Sequence, residues 1–193
     1  MNIIILGAAG QIARVATKEL LDRTDSNLTL YARNARRLGA ATDRTRIVEG
    51  DVMDTATLAK AMDGQDLVYA NLSGTMEAQA KNIVSVMKAV GVGHVIFISS
   101  MGIYDEVPGE RHGAILDPYR HSARVIEDSG LDYAIIRPAW LNDRNEIAYG
   151  TTLKGETFQN SGAYVSRKSV ADLIVKLVKQ QVLGNISLGV HKA

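Results

Sequence analysis

The chain has 193 residues, of which 46% are hydrophobic and 22% charged, and it carries a formal net charge of +1. These values are typical of one globular domain with a full hydrophobic core, and they give no reason to expect nucleic acid or an anionic membrane as a partner. The sequence has no cysteine, which excludes disulfides, thiolate catalysis and cysteine-ligated zinc and is compatible with a reducing cytosol.

Neither export nor membrane insertion is expected from the sequence. The N-terminus has no basic region and leads directly into an apolar run, so no secretory signal peptide is predicted. No apolar run approaches the ~20 residues that a membrane-spanning helix needs. We therefore expect a cytoplasmic protein with no metal site, no nucleic acid partner and no membrane association. The sequence leaves the oligomeric state open.

Short apolar runs alternate with helical patterns along the whole chain. The predicted strands cover residues 2–6, 28–32, 45–49, 67–71, 94–99, 133–137 and, more weakly, 186–188. The predicted helices cover residues 11–21, 55–62, 77–90, 118–129 and 169–179. This alternation indicates repeated βα units, and the expected fold class is α/β, a doubly wound, mostly parallel sheet with helices on both faces.

Capping residues and one long loop add detail to this prediction. Asp54 is expected to cap the second helix, and Asp117 followed by Pro118 is an N-cap with proline at the first helical position. Gly130 is expected to close that helix. The longest irregular stretch, residues 101–117, follows the fifth strand. Because open α/β sheets bind ligands at the carboxyl ends of their strands, we expect this loop to be functional.

The turn after the first strand has the pattern of a phosphate-binding βα turn. It reads Gly7-Ala-Ala-Gly10 and leads directly into a helix. Gly7 allows the tight turn out of the strand, Gly10 lets the backbone approach a pyrophosphate, and the helix N-terminus offers unpaired N–H groups to the phosphates. The predicted cofactor contacts of this turn come from Gly7, Ala9, Gly10, Gln11 and Ile12. The alternative is a tight turn that binds no ligand.

The end of the second strand indicates which dinucleotide binds. NAD-binding folds place a carboxylate there to hold the adenosine ribose. This chain has no carboxylate at that point and continues with Arg33, Arg36 and Arg37 instead. We expect Arg33 to bind a 2′-phosphate, with Arg36 or Arg37 assisting, and we therefore predict NADP(H) in preference to NAD(H). The alternative for Arg36 and Arg37 is a solvated helix face.

Two further strand ends supply candidate contacts to the same cofactor. Asp51, after the third strand, can accept a hydrogen bond from the adenine amino group, with Val52 against the ring. Asn71, Leu72 and Ser73 leave the fourth strand next to the first, where backbone can lie beside the nicotinamide ribose. The alternative for Asp51 is a turn that leads into a helix, and the alternative for Asn71 is a cap at the strand end.

Six segments, spread over nearly the whole chain, carry a resemblance to a known family. They are Gly7-Ala-Ala-Gly10-Gln-Ile-Ala13, Tyr31-Ala-Arg33-Asn34, Gly50-Asp51-Val52, Ile98-Ser-Ser-Met101, and residues 129–140 and 165–172. Together they resemble the atypical short-chain dehydrogenase/reductases, and more narrowly the small NmrA-like NAD(P)H-binding proteins. The resemblance implies one Rossmann domain over residues 1–193 with a small substrate-side extension at the C-terminus. It also implies a preference for NADP(H) and hydride transfer to a flavin, a quinone or a similar small planar acceptor. Since several members only sense the nucleotide, the alternative is a non-catalytic NADP(H) sensor or regulator.

The family pattern also points to catalytic residues. In short-chain dehydrogenases a serine at the end of the fifth strand steadies the substrate oxygen, and a tyrosine on the next helix donates the proton with the help of a lysine four residues later. By this resemblance Ser100 and Tyr119 are the catalytic candidates, and Ser99 is expected to contact the cofactor. Ala123 stands where the lysine is expected, and a phenol without such help is a poor acid near neutral pH. The alternative role of Tyr119 is packing against the sheet.

A second Tyr-x-x-x-Lys pattern, at Tyr164 and Lys168, lies after the sixth strand and is interpreted as unrelated to catalysis. Arg167 and Asp172, next to it, are expected to tie the last helix to the loop below. Arg137 is expected to have a structural role at the end of the sixth strand.

Other side chains near the predicted strand ends are candidates for the pocket wall or for proton transfer. Met101, Tyr104 and Trp140 can wall a flat pocket, with a core position as the alternative for Trp140. His112 and His121 are candidate acids, with a polar surface position as the alternative for each.

Overall fold

The computed structural model describes residues 1–111, 113–180 and 182–193, so the candidate acid His112 lies outside the described residues. The strands are β1 (Asn2–Leu6), β2 (Asn27–Ala32), β3 (Thr45–Glu49), β4 (Leu67–Ala70), β5 (His94–Ile98), β6 (Asp132–Pro138), β7 (Trp140–Asn142), β8 (Tyr149–Leu153), β9 (Tyr164–Ser166) and β10 (Ile186–Lys192). The helices are α1 (Gln11–Arg23), α2 (Thr55–Met62), α3 (Met76–Val90), α4 (Asp117–Glu127) and α5 (Arg167–Val178). Two 3₁₀ turns cover Ala35–Leu38 and Gly113–Leu116.

The main sheet has the order β3-β2-β1-β4-β5-β6-β10-β8, and its strands are parallel except for β8 at one edge. The chain moves outward from β1 to β3 and then returns to pair β4 with the other side of β1. This reversal of strand order is the switch point at which doubly wound folds bind nucleotides, outside the carboxyl ends of the strands. The predicted Rossmann fold is confirmed.

The β1 strand explains why the sheet can be read from the sequence. Ile3, Ile4 and Ile5 are fully buried, because helices cover both faces of a parallel sheet and every side chain of a central strand is then apolar. Ile3 and Ile5 pack in the cluster that holds α1 and α5. Ile4 and Leu6 pack in the cluster that holds α2, α3 and α4. The domain is therefore a three-layer sandwich with its core on both sides of β1.

The predicted elements are all present, with ends that differ by a few residues. The largest differences are at β10, which continues to Lys192, and in the region between β6 and α5, where the sequence predicted no strand. β7 and β9 form a separate two-stranded parallel sheet, and β8 is a partly exposed edge strand next to β10. Such short, exposed strands lack the continuous apolar run that identifies β1.

One predicted cap is confirmed and two are wrong. Asp54 caps α2, since its Oδ1 accepts a hydrogen bond from the Thr57 N–H at 3.1 Å. Asp117 is not a cap, because the preceding residue Leu116 already has helical backbone angles and α4 continues directly from a 3₁₀ turn. Gly130 does not close α4, which ends at Glu127; with φ of +74° it lies in the turn that leads to β6.

Candidate functional site

The turn between β1 and α1 has the geometry of an anion site. Gly7 has φ of +75°, and the N–H groups of Gly7 and Ala8 both donate to the Tyr31 carbonyl at the end of β2. Gly10 is the N-cap of α1, and within the described residues no side chain caps this helix and no acidic residue lies in its first turn. The N-terminal N–H groups of α1 therefore point at the carboxyl edge of the sheet, which favours binding of an anionic group.

Asn71 occupies the space that a side chain would need at either glycine of this turn. A Cβ atom at Gly7 would lie within 3.0 Å of the Asn71 carbonyl oxygen, and one at Gly10 would lie within 3.0 Å of Asn71 Nδ2. Asn71 itself follows β4, and its N–H donates to the Leu6 carbonyl at 2.9 Å. The crowding at Gly10 thus comes mainly from a side chain of the protein, with the Gly7 carbonyl oxygen 3.2 Å away as a second neighbour. The approach of a pyrophosphate to Gly10, and contacts from Ala9, Gln11 and Ile12, stay predictions.

A cavity at the carboxyl ends of β1 to β4 brings together most of the residues that the sequence assigned to the cofactor. It is lined by Gly7, Arg33, Asp51, Val52, Asn71, Leu72 and Ser73, and in addition by Tyr31, Ala32, Gly50 and Gln79. Ala32 and Gly50 adjoin predicted residues in sequence, and Tyr31 lies two residues before Arg33. Gln79 lies on α3 and was not predicted at all.

The 2′-phosphate end of the predicted site is formed by Arg33. It is exposed, follows the last residue of β2, and has no hydrogen-bond or ion-pair partner in the ranges that the structure describes. The nearest carboxylate along the neighbouring strand, that of Glu49, accepts from the Ala35 N–H at 2.9 Å. Arg36 and Arg37 are exposed on the following 3₁₀ turn, as in the alternative of a solvated face. The assistance of Arg37 to Arg33 stays a prediction.

The adenine end of the predicted site is formed by the turn after β3. Asp51 is exposed, and its Oδ1 accepts a hydrogen bond from the Met53 N–H at 2.9 Å. This hydrogen bond fits the alternative interpretation of Asp51, a turn that leads into a helix. Val52 is buried. The Tyr31 hydroxyl donates to the Asp51 carbonyl at 2.9 Å, and burial, together with the nearby carboxylates of Asp54 and Asp51, raises the pKa of Tyr31 to about 12. Tyr31 is therefore a neutral hydrogen-bond donor that fixes this turn.

At the predicted catalytic end, the two serines after β5 have different environments. Ser99 is buried, and its Oγ donates to the Tyr119 carbonyl at 3.4 Å, so it links the end of β5 to the start of α4. Ser100 is only half-buried. The Met101 N–H donates to the Pro138 carbonyl at 3.2 Å, which holds the ends of β5 and β6 together. Ser100 is thus the serine that remains accessible at this edge.

Tyr119 is half-buried and packs against the α3 and α4 cluster. Its hydroxyl has no hydrogen-bond partner among the described residues. Ala123, one turn later, is fully buried, so the position where the family has a lysine faces the core in this chain. A lysine ammonium would be desolvated there without a partner. Tyr119 itself packs as in the alternative interpretation, and its catalytic role stays a prediction.

In the second Tyr-x-x-x-Lys pattern, Tyr164 and Lys168 share no hydrogen bond in the part of the chain that the structure describes. Tyr164 is 57% exposed, and Lys168 Nζ donates to Asn145 Oδ1 at 2.7 Å.

The predicted tie between α5 and the loop below is confirmed for Arg167, whereas Asp172 contacts Arg23 of α1 and Tyr149 of β8. Arg167 donates to Asp143 Oδ1 at 2.8 Å and to Gln11 Oε1 at 2.7 Å, so it joins the β7 loop to the first residue of α1.

The loop after β5 is held by a buried ion pair that the sequence did not predict. Glu106 accepts hydrogen bonds from the N–H groups of Gly102 and Tyr104, at 3.0 and 2.9 Å, and contacts Arg137 Nη1. Arg137 is fully buried and also donates from Nε to Ser187 Oγ at 3.0 Å. The structural role expected for Arg137 is confirmed, and its partner is the loop itself.

The predicted pocket wall is only partly formed. Met101 is buried, and the Tyr104 hydroxyl donates to Glu127 Oε1 at 2.5 Å. Trp140 is 53% exposed, so its alternative of a core position is wrong. It pairs in register with Tyr164 across β7 and β9, and both rings are exposed. His121 lies on the outer surface between α3 and α4, with Nδ1 3.3 Å from Glu77 Oε2.

Within the described ranges, no group of three or more His, Cys, Asp or Glu side chains is placed to hold a metal ion. No helix in those ranges is long and apolar enough to cross a membrane. A family model described as NAD(P)H-binding matches residues 7–181. The chain belongs to the NAD(P)H-binding family.

Relatives of this NAD(P)H-binding protein agree with the fold. A Rossmann-fold NAD(P)-binding family protein from Shigella flexneri is 40% identical with a TM-score of 0.88, and the match covers 99% of this chain and 93% of that one. A short-chain dehydrogenase/reductase from Veillonella parvula, solved in complex with NADP, is 26% identical with a TM-score of 0.90, over 99% of this chain and 94% of that one. Sanguinarine reductase from Eschscholzia californica is 26% identical in an alignment that covers 96% of this chain and 86% of that protein. Two other curated relatives are longer, and the chain spans only 46% and 66% of their lengths.

Two functional features of this family member could not be found from the sequence. Glu106 lies in an irregular loop, where no periodicity fixes the direction of a side chain. Gln79 lies on a helix that was predicted correctly, but only the packing of α3 shows which of its faces borders the cavity. The available signal was the polar spacing of Gln79 and Asn82, three residues apart on an otherwise apolar helix face.

Proposed function

We propose that this chain is an NADPH-dependent reductase that transfers hydride to a flavin, a quinone or a similar small planar acceptor. The observation that carries the proposal is Arg33, an unpaired guanidinium, among the described residues, at the end of β2 that lines the same cavity as the β1–α1 turn. A guanidinium without a protein partner is suited to a phosphate dianion. Family membership and the NADP-bound relative support this choice of cofactor.

The residues of the cavity fit a dinucleotide phosphate. The uncapped start of α1 has no acidic residue to repel the pyrophosphate, and Arg33 would hold the 2′-phosphate. Asn71, Leu72 and Ser73 would border the nicotinamide ribose. When bound, NADPH supplies the hydride.

The acceptor side is assigned to Ser100 and the exposed rings of the β7–β9 sheet. The Met101–Pro138 backbone hydrogen bond brings the ends of β5 and β6 together, so that Ser100 and the segment leading to Trp140 share one edge. The Ser100 hydroxyl would orient an oxygen of the acceptor or of the carboxamide. Trp140 and Tyr164, both exposed, offer flat apolar faces to a planar acceptor. Because Ala123 replaces the expected lysine, the product would take its proton from solvent or a weak acid.

The name of one relative, sanguinarine reductase, supports a reductase activity in this family. We also propose a cytoplasmic location and a small-molecule partner without nucleic acid, in line with a net charge of +1 and the lack of cysteine.

NADPH oxidation with a panel of flavins and quinones tests the activity. At least one acceptor should be reduced, and Ser100→Ala should lower kcat/KM for it roughly 10-fold, the effect of one lost hydrogen bond. Ser85→Ala, at an exposed serine on α3, is the matched control and should have no effect. If the protein binds NADPH but reduces none of the acceptors, the proposed reductase activity is wrong.

That negative result would favour a second candidate, a non-catalytic NADP(H) sensor. The specific observation behind it is Ala123, which is fully buried where the wider family has a catalytic lysine. A sensor would bind NADPH and NADP⁺ with different affinities but reduce no acceptor, which titration with each nucleotide measures.

A further inference from the structure

Gln79 lines the cofactor cavity with an unused hydrogen-bonding group. It lies on α3, is half-buried, and borders the cavity together with Val52 and Leu72. Its side-chain oxygen Oε1 is buried and has no hydrogen-bond partner among the described residues. Buried polar atoms in proteins are nearly always paired, and an unpaired one calls for a specific explanation. A ligand in the cavity would supply the missing partner.

The packing of α3 fixes the direction of Gln79. Asn82, three residues later on the same face of the helix, donates from Nδ2 to the Val52 carbonyl at 2.6 Å. Its Oδ1 accepts from Thr55 Oγ1 at 2.8 Å. These two hydrogen bonds hold this face of α3 against the turn after β3. Gln79 therefore borders the turn that was predicted to contact adenine.

Amide chemistry matches the edge of an adenine ring. A glutamine amide presents an acceptor and a donor side by side, and adenine presents its N6 amino group beside the N7 acceptor, so the two can form a pair of hydrogen bonds. Hypoxanthine presents two acceptors, O6 and N7, on the same edge, so neither orientation of the amide can form this pair with it. An amide that is already partly buried also loses less hydration when a base covers it.

We propose that Gln79 is the residue that selects adenine over other purines in the bound dinucleotide. This inference rests on the proposed NADP(H) site, and it assigns base selection to α3 instead of to Asp51. The Asp51 carboxylate is exposed and already accepts from the Met53 N–H, so water and its own turn compete for it. Asp51 then closes the turn, and Val52 packs against the ring.

The test compares two probes that differ only at the base, 2′,5′-ADP and its inosine counterpart, in which an oxygen replaces the N6 amino group. Their dissociation constants are measured by calorimetry, so the readout does not depend on turnover. The native protein should prefer the adenine probe by about 5- to 150-fold, the discrimination of one bidentate pair. Gln79→Leu should make the two dissociation constants nearly equal, mainly because the adenine probe binds more weakly.

Three variants make the result specific. Gln79→Met repeats the test with another helix-forming side chain, and Gln159→Leu, at an exposed glutamine outside the cavity, should leave the preference unchanged. If Asp51→Asn abolishes the preference while Gln79→Leu and Gln79→Met retain it, base selection belongs to Asp51 and the proposal is wrong. Equal affinity for both probes in the native protein also overturns it. If neither probe nor NADPH binds, the proposed cofactor site is wrong as well. If NADPH binds and the preference for adenine does not depend on Gln79, only the proposal for Gln79 is wrong.

Discussion

Asn71 occupies the space next to Gly10 so closely that a Cβ atom on residue 10 would lie within 3.0 Å of its Nδ2. The same residue places its carbonyl oxygen against Gly7 and its N–H on the Leu6 carbonyl. Asn71 therefore connects β1, the β1–α1 turn and the end of β4. The turn that would receive the pyrophosphate is shaped by the strand that would border the nicotinamide.

The Asn71–Gly10 contact predicts a pair of mutations that compensate each other. Gly10→Ala should lower the free energy of unfolding by about 1–3 kcal/mol, because the new methyl group meets a side chain that must move. Asn71→Ala removes that side chain, so the double variant should be more stable than the sum of the single effects predicts. Urea denaturation of the four proteins measures the coupling. Additive effects would show that Asn71 does not crowd Gly10.

Gly7 provides the comparison, because its obstacle is backbone and cannot move aside. Gly7→Ala should cost more than ~2 kcal/mol, since the methyl group meets the Asn71 carbonyl in addition to the strain of a positive φ, which alone costs about 1–2 kcal/mol. Gly64→Ala is the matched control. Gly64 has φ of +71°, and a methyl group there would have no neighbouring atom within 4 Å, so this variant should show the strain alone.

The guanidinium of Arg33, unpaired among the described residues, leads us to predict that the protein binds NADPH more tightly than NADH. Arg33→Ala should weaken NADPH about 10- to 150-fold and leave NADH nearly unchanged, since a charge-assisted hydrogen bond to the 2′-phosphate contributes about 1.5–3 kcal/mol. Dissociation constants for both nucleotides, measured by fluorescence titration, provide the comparison. Arg36→Ala and Arg37→Ala are controls that show whether either residue assists. Equal affinity of the native protein for NADH and NADPH would contradict this role of Arg33.

The hydrogen bonds of the Asp172 carboxylate lead us to predict that the free energy of unfolding decreases in acid. Burial alone would raise its pKa, but hydrogen bonds from Lys176, Tyr149 and Arg23 together hold the pKa below its ordinary value. A carboxyl whose pKa is lower in the folded state stabilises the fold above its unfolded pKa of about 3.9, and this stabilisation is lost as the pH falls through the folded pKa. The free energy of unfolding should therefore fall below about pH 4 in the native protein.

The matching variant is Asp172→Asn, which should be less stable than the native protein at pH 7 and should lose less stability on acidification. Tyr149→Phe removes one of the three donors and should reduce the pH dependence only in part. Parallel pH profiles for the native protein and Asp172→Asn would exclude Asp172 as the source.

The ion pair between Glu106 and Arg137 predicts a large structural effect. Glu106→Ala leaves the guanidinium of Arg137 buried without its carboxylate, and removing one partner of a buried pair costs about 3–5 kcal/mol. Arg124→Ala, which removes an exposed charge 3.5 Å from Asp128, should change stability by less than about 0.5 kcal/mol. Chemical denaturation of both variants measures the difference. A Glu106→Ala protein as stable as the native one would show that the pair does not hold the loop.

The fold could be read from the sequence because its central strands are buried on both faces, as Ile3, Ile4 and Ile5 show. Arg33 could be found because it directly follows a predicted strand. Glu106 and Gln79 could not, since their positions depend on loop geometry and on how α3 packs. Asp117 was assigned as a cap because its sequence context is that of an N-terminus, but the 3₁₀ turn before it had already started the helix.

The environment of Tyr119 leads us to predict that its hydroxyl does not supply the proton. Its hydroxyl has no partner among the described residues, and Ala123 replaces the lysine, so Tyr119→Phe should leave kcat/KM within roughly 3-fold of the native value. Tyr119→Ala, which also removes the half-buried ring, should lower the free energy of unfolding by roughly 1–3 kcal/mol. Steady-state NADPH oxidation and urea denaturation of the two variants separate chemistry from packing. A decrease of 100-fold or more for Tyr119→Phe, at unchanged stability, would identify Tyr119 as the general acid, because positioned proton donors contribute about 10²- to 10⁴-fold.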